Sequence, residues 1–122
     1  MGTPNLNLNV PVVLLPVEIS GQRSASVAAV ARYKLPFKAR LLGVSASARA
    51  SGGTTPTLTV DVQAGGASVL SAPVAVTAGA VAEGVVETPA VADEAVITID
   101  LAIGGTTPTW DDISVLLTLV RT

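Results

Sequence analysis

The segment Ile97-Thr98-Ile99-Asp100-Leu101-Ala102-Ile103 carries the pattern that decides the fold class. Large apolar side chains occupy every second position, and the polar Thr98 and Asp100 lie between them. A period of two puts alternate side chains on opposite faces of an extended chain, so this segment predicts a β-strand with one buried face. The same alternation recurs at residues 57–63 and 113–120, which makes an all-β protein the expected class.

Strand segments of this kind fill much of the remaining chain, separated by Gly, Pro, Thr and Ser. The total is eight or nine predicted strands, the others being residues 12–20, 26–33, 39–50, 67–71, 74–77 and 81–88. Alanine is plentiful in residues 24–32, so a helical turn or two is the alternative there, although we favour a strand. Leu116 and Val120 make residues 113–120 apolar on both faces, which predicts a central strand or one covered by a neighbouring subunit. The expected architecture is an antiparallel β-sandwich of about eight strands.

The composition limits both the number of domains and the available chemistry. A chain of 122 residues with 49% hydrophobic and 13% charged residues fits one folded domain and excludes a disordered segment. It has no Cys and no His, which excludes disulfides, thiolate nucleophiles, imidazole bases and the usual zinc sites. No apolar run approaches the ~18 residues of a membrane-spanning helix. We interpret the surplus of apolar residues as surface for contacts between subunits.

A motif of six residues occurs twice. Gly52-Gly53-Thr54-Thr55-Pro56-Thr57 reappears as Gly104-Gly105-Thr106-Thr107-Pro108-Thr109. Each copy lies between two alternating segments, and paired glycines with a following proline suit a loop between antiparallel strands. We therefore interpret the repeat as two equivalent connections in a pseudo-symmetric sandwich, with a ligand-binding loop as the alternative.

The N-terminal segment differs from the remainder of the chain. Residues 1–9 are polar and rich in Asn, and the apolar residues that follow are interrupted by Pro11 and Pro16. Because proline removes a donor from a strand ladder, residues 1–16 are predicted to form an extended N-terminal arm or a first edge strand, ahead of a single β-sandwich domain at residues 17–122. The apolar side chains of this segment are candidate interface residues, namely Val12, Val13, Leu14 and Leu15.

Charge is divided between two parts of the chain. Up to Gly52 there are six basic residues and one acid, Glu18, whereas eight acids and one base, Arg121, follow it. These opposite charges are predicted either to pair strands within the molecule or to meet across a rotational interface between copies. The net charge of −2 argues against nucleic acid as a partner.

Candidate catalytic and ligand-binding groups are few. Asp93-Glu94 and Asp111-Asp112 are paired carboxylates, both expected at strand entrances. Adjacent residues of a strand point to opposite faces, so neither pair is expected to converge on a substrate or a calcium ion. Ser and Thr hydroxyls have no His base, and Lys34 and Lys38 are expected to be exposed. We therefore predict no enzymatic activity, no cofactor and no metal site.

Trp110, which follows the second copy of the motif, is the one residue suited to stacking on a sugar ring. Carbohydrate binding centred on Trp110, Asp111 and Asp112 is therefore the rival hypothesis, although an aromatic content of 2% argues against a lectin. A single Trp serves more often as a plug at the end of a sandwich or as an interface anchor. These three residues are retained as a candidate interface or ligand loop.

Two segments of the chain form a pattern known from one group of proteins. They are Tyr33-Lys34-Leu35-Pro36-Phe37-Lys38-Ala39-Arg40-Leu41-Leu42-Gly43-Val44-Ser45-Ala46 and Ala92-Asp93-Glu94-Ala95-Val96-Ile97-Thr98-Ile99-Asp100, the second followed by the Gly-Thr-Thr-Pro motif and residues 113–121. Together they resemble small jelly-roll structural proteins of tailed bacteriophages. The resemblance covers residues 30–122, and the Asn-rich start has no counterpart in it.

The resemblance implies an eight-stranded jelly roll that forms homotrimers on the virion. The expected role is a capsid decoration (cement) protein on the exterior of the phage head, because a single domain with a short arm fits decoration better than a fibre. A tail, neck or fibre component is the alternative. The implied partners are other copies of the chain and a capsid or other virion protein, without nucleic acid, membrane or cofactor. The resemblance also implies synthesis in the cytoplasm of the bacterial host.

Overall fold

Two strands of 26 residues each form the centre of the fold. The computed structural model describes residues 12–122 and contains, in chain order, β1 (Val12–Arg23), β2 (Val27–Lys34), β3 (Ala39–Ala64), β4 (Ala67–Ser68), β5 (Val74–Ala75), β6 (Val81–Glu83), β7 (Ala90–Val91) and β8 (Val96–Arg121). The long strands β3 and β8 pair antiparallel along their whole length, from Ala39 opposite Arg121 to Ala64 opposite Ile97. Every other strand pairs with one of these two.

Strand β8 lies between β3 and the two N-terminal strands. The C-terminal part of β8 pairs with β1, where Val12 lies opposite Val120, and its N-terminal part pairs with β2, where Lys34 lies opposite Val96. The short strands β4 to β7 pair with the other edge of β3. All eight strands therefore belong to one antiparallel sheet. The internal position of β8 confirms the prediction drawn from its two apolar faces.

The sheet folds over on itself at the middle of β3 and β8. Half A consists of β1, β6, β7 and residues 39–51 and 110–121, and half B consists of β2, β4, β5 and residues 57–64 and 96–103. Buried residues of both halves belong to one hydrophobic core, so the halves face each other like the layers of a sandwich. Along one edge the layers are joined by a bridge between Leu70, which follows β4, and Val86, which follows β6.

Alternation along the strands builds the core. Ile97, Ile99 and Leu101 point inward and are almost completely buried, as their spacing predicted. The largest fully buried side chains are all aliphatic: Leu58, Ile97, Ile99, Ile113, Leu117, Leu119, Val60, Val62, Val91 and Val115. Burying each of them contributes about 1.5–3 kcal/mol, and their β-branched majority suits a pleated surface. Within residues 12–122 no polar or charged residue is buried.

The repeated Gly-Gly-Thr-Thr-Pro-Thr motif forms the bend of the sheet. Both copies lie inside a strand, residues 52–57 in β3 and residues 104–109 in β8. They pair with each other, Gly52 with Thr109, Thr54 with Thr106 and Thr57 with Gly104. The register shifts on both sides of Thr54, which interrupts and bends the ladder. The prediction of loops between strands was therefore wrong, whereas the predicted equivalence of the two copies is confirmed by their symmetric pairing.

Glycine is required at two equivalent positions of this bend. Gly53 has φ +94° and Gly105 has φ +112°, values that side-chain-bearing residues rarely adopt. A Cβ atom at Gly53 would lie 2.3 Å from the carbonyl oxygen of Thr107, and one at Gly105 would lie 2.6 Å from the carbonyl oxygen of Thr55. The two copies thus approach each other more closely than any larger residue allows.

Strand β2 confirms the strand that we favoured over a helical turn at residues 24–32. Its pairing with β8 shifts between Val27 and Ala31, and Ala29 has φ 52°, which marks a bulge. Three predicted strands, at residues 67–71, 74–77 and 81–88, are shorter than expected, because only β4, β5 and β6 within them form strand.

Part of the predicted N-terminal arm lies outside the described residues, namely residues 1–11. Residues 12–16 belong to β1 and pair with β8. In the described part of the chain, no helix has the length and apolar character needed to cross a membrane.

Candidate interaction surface

The outer face of half A is apolar and exposed. It is built from the side chains that alternate with the core residues of β1, β3 and β8, and Leu14 is 59% exposed, Leu42 53% and Leu116 37%. Val12 and Val81 are exposed beside them. The half-A face is defined here as Val12, Leu14, Pro16, Leu42, Val81 and Leu116 together with Ser45, Ser47, Ser114 and Thr118.

Strand register places Leu116 at the centre of the half-A face. Leu116 lies opposite Pro16 of β1 on one side and Ser45 of β3 on the other. One step nearer the bend, Ser114 lies opposite Ser47. Because these neighbours are short, they leave a shallow groove of ≈ 230 Å³ along the strand. The half-A face thus combines large, protruding apolar side chains with small polar side chains between them.

Charged residues lie at the margin of this face. Glu18 on β1 accepts a hydrogen bond from the Ser114 hydroxyl, and Glu83 on β6 lies opposite Ser45. Arg40, at the end far from the bend, lies opposite Val120. An apolar centre with a charged rim is the usual anatomy of a protein–protein interface.

The outer face of half B is polar by contrast. The Gln63 side-chain amide donates to Asp100 at 3.1 Å, the backbone N–H of Ala29 donates to the same carboxylate at 2.7 Å, and the Ser68 hydroxyl donates to Asp61 at 2.7 Å. Its polar groups are therefore satisfied within the molecule while facing water. The outer faces of half A and half B thus differ in chemistry, although both halves belong to one bent sheet and share one core.

Arg49 holds both carboxylates of the Asp111-Asp112 pair where the half-A face meets the bend. Its Nε lies 2.7 Å from Asp112 Oδ2, and its Nη2 lies 3.8 Å from Asp111 Oδ2. The backbone N–H of Gly21 donates to Asp112 Oδ1 at 2.9 Å. The hydrogen bond from Arg49, followed by that from Gly21, lowers the pKa of Asp112, and the same carboxylate raises the pKa of Arg49.

A bulge explains why these adjacent acids converge. Asp112 has φ 51°, and the pairing of β1 with β8 shifts between Ile19 and Gln22. Strict alternation is lost there, so both carboxylates reach Arg49. The prediction that this pair diverges at a strand entrance was wrong, because Asp111 and Asp112 lie inside β8.

The other acidic pair lies in the turn before β8, as predicted. Glu94 Oε1 is 3.5 Å from Lys34 Nζ, and both side chains are exposed. Each ion pair in residues 12–122 joins a base from the first part of the chain to an acid from the second, which confirms pairing within the molecule. Among the same residues no group of three His, Cys, Asp or Glu side chains is placed to hold a metal ion.

Trp110 is buried in the core with only 2% of its surface exposed. It lies opposite Ser51 of β3 and Arg23 of β1, and its indole N–H is buried without a hydrogen-bond partner. A buried ring cannot stack on a sugar. The geometry therefore favours a packing role for Trp110 inside the sandwich over carbohydrate binding.

The candidate residues of the N-terminal segment divide into two groups. Val12 and Leu14 are exposed on the half-A face, whereas Val13 and Leu15 are partly buried and pack against the core. Alternation therefore leaves two of the four side chains available to a partner.

Leu42 and Val81 belong to the surface but were missed by the sequence analysis. Leu42 is the extra residue at a register shift between Leu41 and Gly43, so it points outward although it lies an even number of residues from the buried Val44 and Ala46. The Leu41-Leu42 pair was the only signal, since it breaks the alternation. Val81 lies on β6, whose pairing with β3 depends on contacts distant in sequence.

The fold is similar to a solved bacteriophage structure, described as "Cyanophage Pam1 capsid asymmetric unit". The match has a TM-score of 0.55 at 16% sequence identity and covers 100% of this chain and 93% of that chain. The likeness is to a viral capsid structure. At this identity it establishes the fold alone, and the predicted jelly-roll-like antiparallel sandwich of about eight strands is confirmed.

A structure of infectious bursal disease virus, Gx strain, was also found. It matches with a TM-score of 0.48 at 12% identity, over 93% of this chain and 32% of that chain. No protein-family model matches the chain, and the search of curated proteins found no match.

Proposed function

We propose that this chain is a structural protein of a bacteriophage particle, and specifically a capsid decoration protein. It has no enzymatic activity in this proposal. It associates with copies of itself as a homotrimer and binds a capsid protein on the exterior of the phage head. The partners are thus protein surfaces.

The likeness to the cyanophage Pam1 capsid asymmetric unit carries the proposal. It extends over 100% of this chain and 93% of the matched chain, so the likeness in fold concerns the full described domain and not a fragment of it. A domain of this kind presents two broad outer sheet faces, one on each half of the bent sheet. Such a shape suits packing against other proteins.

The half-A face gives independent physical support. Exposed leucine side chains are unfavourable in water, because burying apolar surface stabilises a protein or a complex by about 25 cal/mol per Å². A contiguous apolar patch on a folded domain is typical of a surface that is covered in an assembly. The polar half-B face has the chemistry of a surface that remains in water.

Immunogold electron microscopy tests the proposal. Purified particles of the phage that encodes the chain are labelled with antibodies raised against the purified protein, and we expect label over the head of intact particles. Label confined to the tail or neck would overturn the decoration role. Unlabelled particles that also lack a 12.1 kDa band on a denaturing gel would overturn the virion assignment altogether.

A further inference from the structure

We propose that the end of half A opposite the bend binds an extended, acidic segment of a partner protein. This basic end is defined here as Lys38, Arg40, Ala90, Ala92 and Thr122. The inference deepens the proposed function, because it rests on a capsid protein as the partner and states the chemistry of the segment that this partner presents. It concerns a different part of the molecule from the apolar centre of the half-A face.

Lys38 and Arg40 project from the same side of the chain at the start of β3. Ala39 between them is buried, whereas both bases are exposed. The backbone N–H of Thr122 donates to the carbonyl oxygen of Lys38 at 3.0 Å, which extends the pairing of β3 with β8 by one residue beyond Ala39. Alternate residues of an extended chain lie about 6.6 Å apart, so the two positive charges form a short row.

Small residues beside the two bases leave a pocket of ≈ 360 Å³. On β7, Ala90 lies opposite Arg40, and Ala92 is exposed on the same face because the buried Val91 lies between them. Ala39, Val91 and Thr122 complete the lining. A methyl group does not fill the space beside a long basic side chain. The backbone of a partner can therefore lie against the alanines while its carboxylates contact the bases.

The bases at this end have no acidic partner within the molecule. None of the ion pairs in residues 12–122 includes Lys38, Arg40 or Arg121, and residues 1–11 contain no Asp or Glu. Guanidinium and ammonium groups form their strongest hydrogen bonds with ionised acceptors such as carboxylates. Their hydrogen-bonding capacity is therefore available to a carboxylate that another molecule supplies.

The charge of this end differs in sign from that of the remaining chain. Residues 34–40, 90–96 and 119–122 contain four of the seven bases and two of the nine acids. Elsewhere three bases face seven acids. This end of the molecule therefore stays positive even when the α-carboxylate of Thr122 is counted.

The local charge favours an acidic protein segment over a nucleic acid. Screening limits the reach of each charge to about 8 Å at physiological ionic strength, so a short segment at the basic end is attracted by the nearby bases. A nucleic acid extends well beyond this distance, and the excess of acids elsewhere on the molecule repels its phosphates. An extended protein segment has alternate side chains about 6.6 Å apart, so two of its carboxylates can contact Lys38 and Arg40 together.

A peptide titration followed by NMR tests the inference. The probe is the peptide Glu-Ala-Glu-Ala-Glu with blocked ends, and the control probes are Lys-Ala-Lys-Ala-Lys and a short oligothymidine. We expect the acidic peptide, at millimolar concentration, to shift the backbone N–H signals of residues 38–40 and 90–92. The lysine peptide should leave these signals unchanged, and the oligothymidine should shift them less. Equal shifts with oligothymidine would overturn the choice of a protein as the partner.

Matched charge reversals separate the basic end from the overall charge. Arg40→Glu and Arg32→Glu change the net charge of the chain equally, and Arg32 is an exposed base on β2 in half B. We expect Arg40→Glu to weaken binding of the acidic peptide about fivefold or more, because a repulsion replaces an attraction, and Arg32→Glu to change it by less than about twofold. Ala90→Leu fills the pocket without changing any charge and should also weaken binding. Circular dichroism checks that all three variants are folded.

Rebinding to phage particles separates this inference from the proposed function. Particles that lack the chain, obtained by deleting its gene, are mixed with purified wild-type or variant protein, and Arg40→Glu should bind about fivefold or more weakly than Arg32→Glu. If wild type binds and the two variants bind equally, the decoration role stands and the basic end is overturned as the contact. If wild type does not bind, the decoration role is overturned and the peptide titration decides about the basic end. Peptide shifts spread over the whole surface, or equal losses for Arg40→Glu and Arg32→Glu in the titration, would overturn the inference whatever the particles bind.

Discussion

Gly53 and Gly105 are the residues on which the bend depends. Alanine at either position adopts a left-handed backbone, which alone costs about 1–2 kcal/mol, and its Cβ meets a carbonyl oxygen of the opposite motif. We therefore expect Gly53→Ala and Gly105→Ala to lower the free energy of unfolding by clearly more than about 2 kcal/mol. Urea denaturation measures the loss, and the symmetry of the bend predicts similar values for the two variants.

Gly66→Ala is the matched control for these substitutions. Gly66 has φ +88°, but a Cβ there has nothing within 4 Å. Its replacement should cost only the backbone term of about 1–2 kcal/mol. An equal loss for all three variants would show that close packing between the two motifs does not limit the bend.

Asp112 gives the stability of the protein a defined dependence on pH. Its pKa is lowered in the folded state by the hydrogen bonds from Arg49 and Gly21. A carboxyl group with a depressed folded pKa stabilises the protein above its unfolded pKa, and this contribution is lost as the pH falls through the folded value. We expect Asp112→Asn to be less stable than wild type at neutral pH and to lose less stability below about pH 4.

Urea denaturation across this acid range measures the effect. Asp93→Asn, which removes one carboxylate from the turn before β8 and away from Arg49, is the control. The same change in pH dependence for both variants would rule out the contact with Arg49 as the cause. The effect should be small, because Arg49 and Asp112 are exposed to screening by solvent and salt.

Two neighbouring residues of β8 are expected to affect different properties, Leu117 the stability of the monomer and Leu116 its association. Leu117 is fully buried, so Leu117→Ala should lower the free energy of unfolding by about 2–5 kcal/mol. Leu116→Ala, on the opposite face, should change the stability of the monomer by about 0.5 kcal/mol or less while weakening association. Chemical denaturation at low protein concentration, where copies are separate, makes the comparison. Equal losses would contradict the alternation of faces along this strand.

The strands were predictable wherever alternation reports burial directly. Residues 97–103 and 113–120 were identified because each inward side chain is apolar and polar residues such as Thr98, Asp100, Ser114 and Thr118 lie between them. The bend was not predictable, because Gly-Gly followed by Thr and Pro suits a chain reversal as well as a bulged, bent strand. What distinguishes the two is the pairing of residues 52–57 with residues 104–109, a contact between distant parts of the chain.

The sequence predicted exposed apolar surface, but it identified only some of the residues that form the half-A face. The excess of apolar residues led us to expect exposed apolar surface, and Leu14 was named because it belongs to the apolar N-terminal segment. Which residues share the face depends on register, and a single bulge moved Leu42 outward. The convergence of Asp111 and Asp112 on Arg49 likewise depends on a bulge that the local sequence does not predict.

The pairing of β3 with β8 determines how the complete sheet forms. Residues as distant in sequence as Ala39 and Arg121 lie opposite each other, so closing the sheet orders almost the entire described chain. Folding dominated by such contacts is slow, and we expect it to take milliseconds to seconds, on the order of that for other sandwiches. Trp110, the only Trp and buried at 2% exposure, provides a fluorescence signal for stopped-flow refolding. Rates independent of protein concentration would assign the slow step to the sheet itself, because a step that required a second copy would speed up as copies are added. Complete refolding in microseconds would contradict the long-range pairing on which the bend, the core and the half-A face all depend.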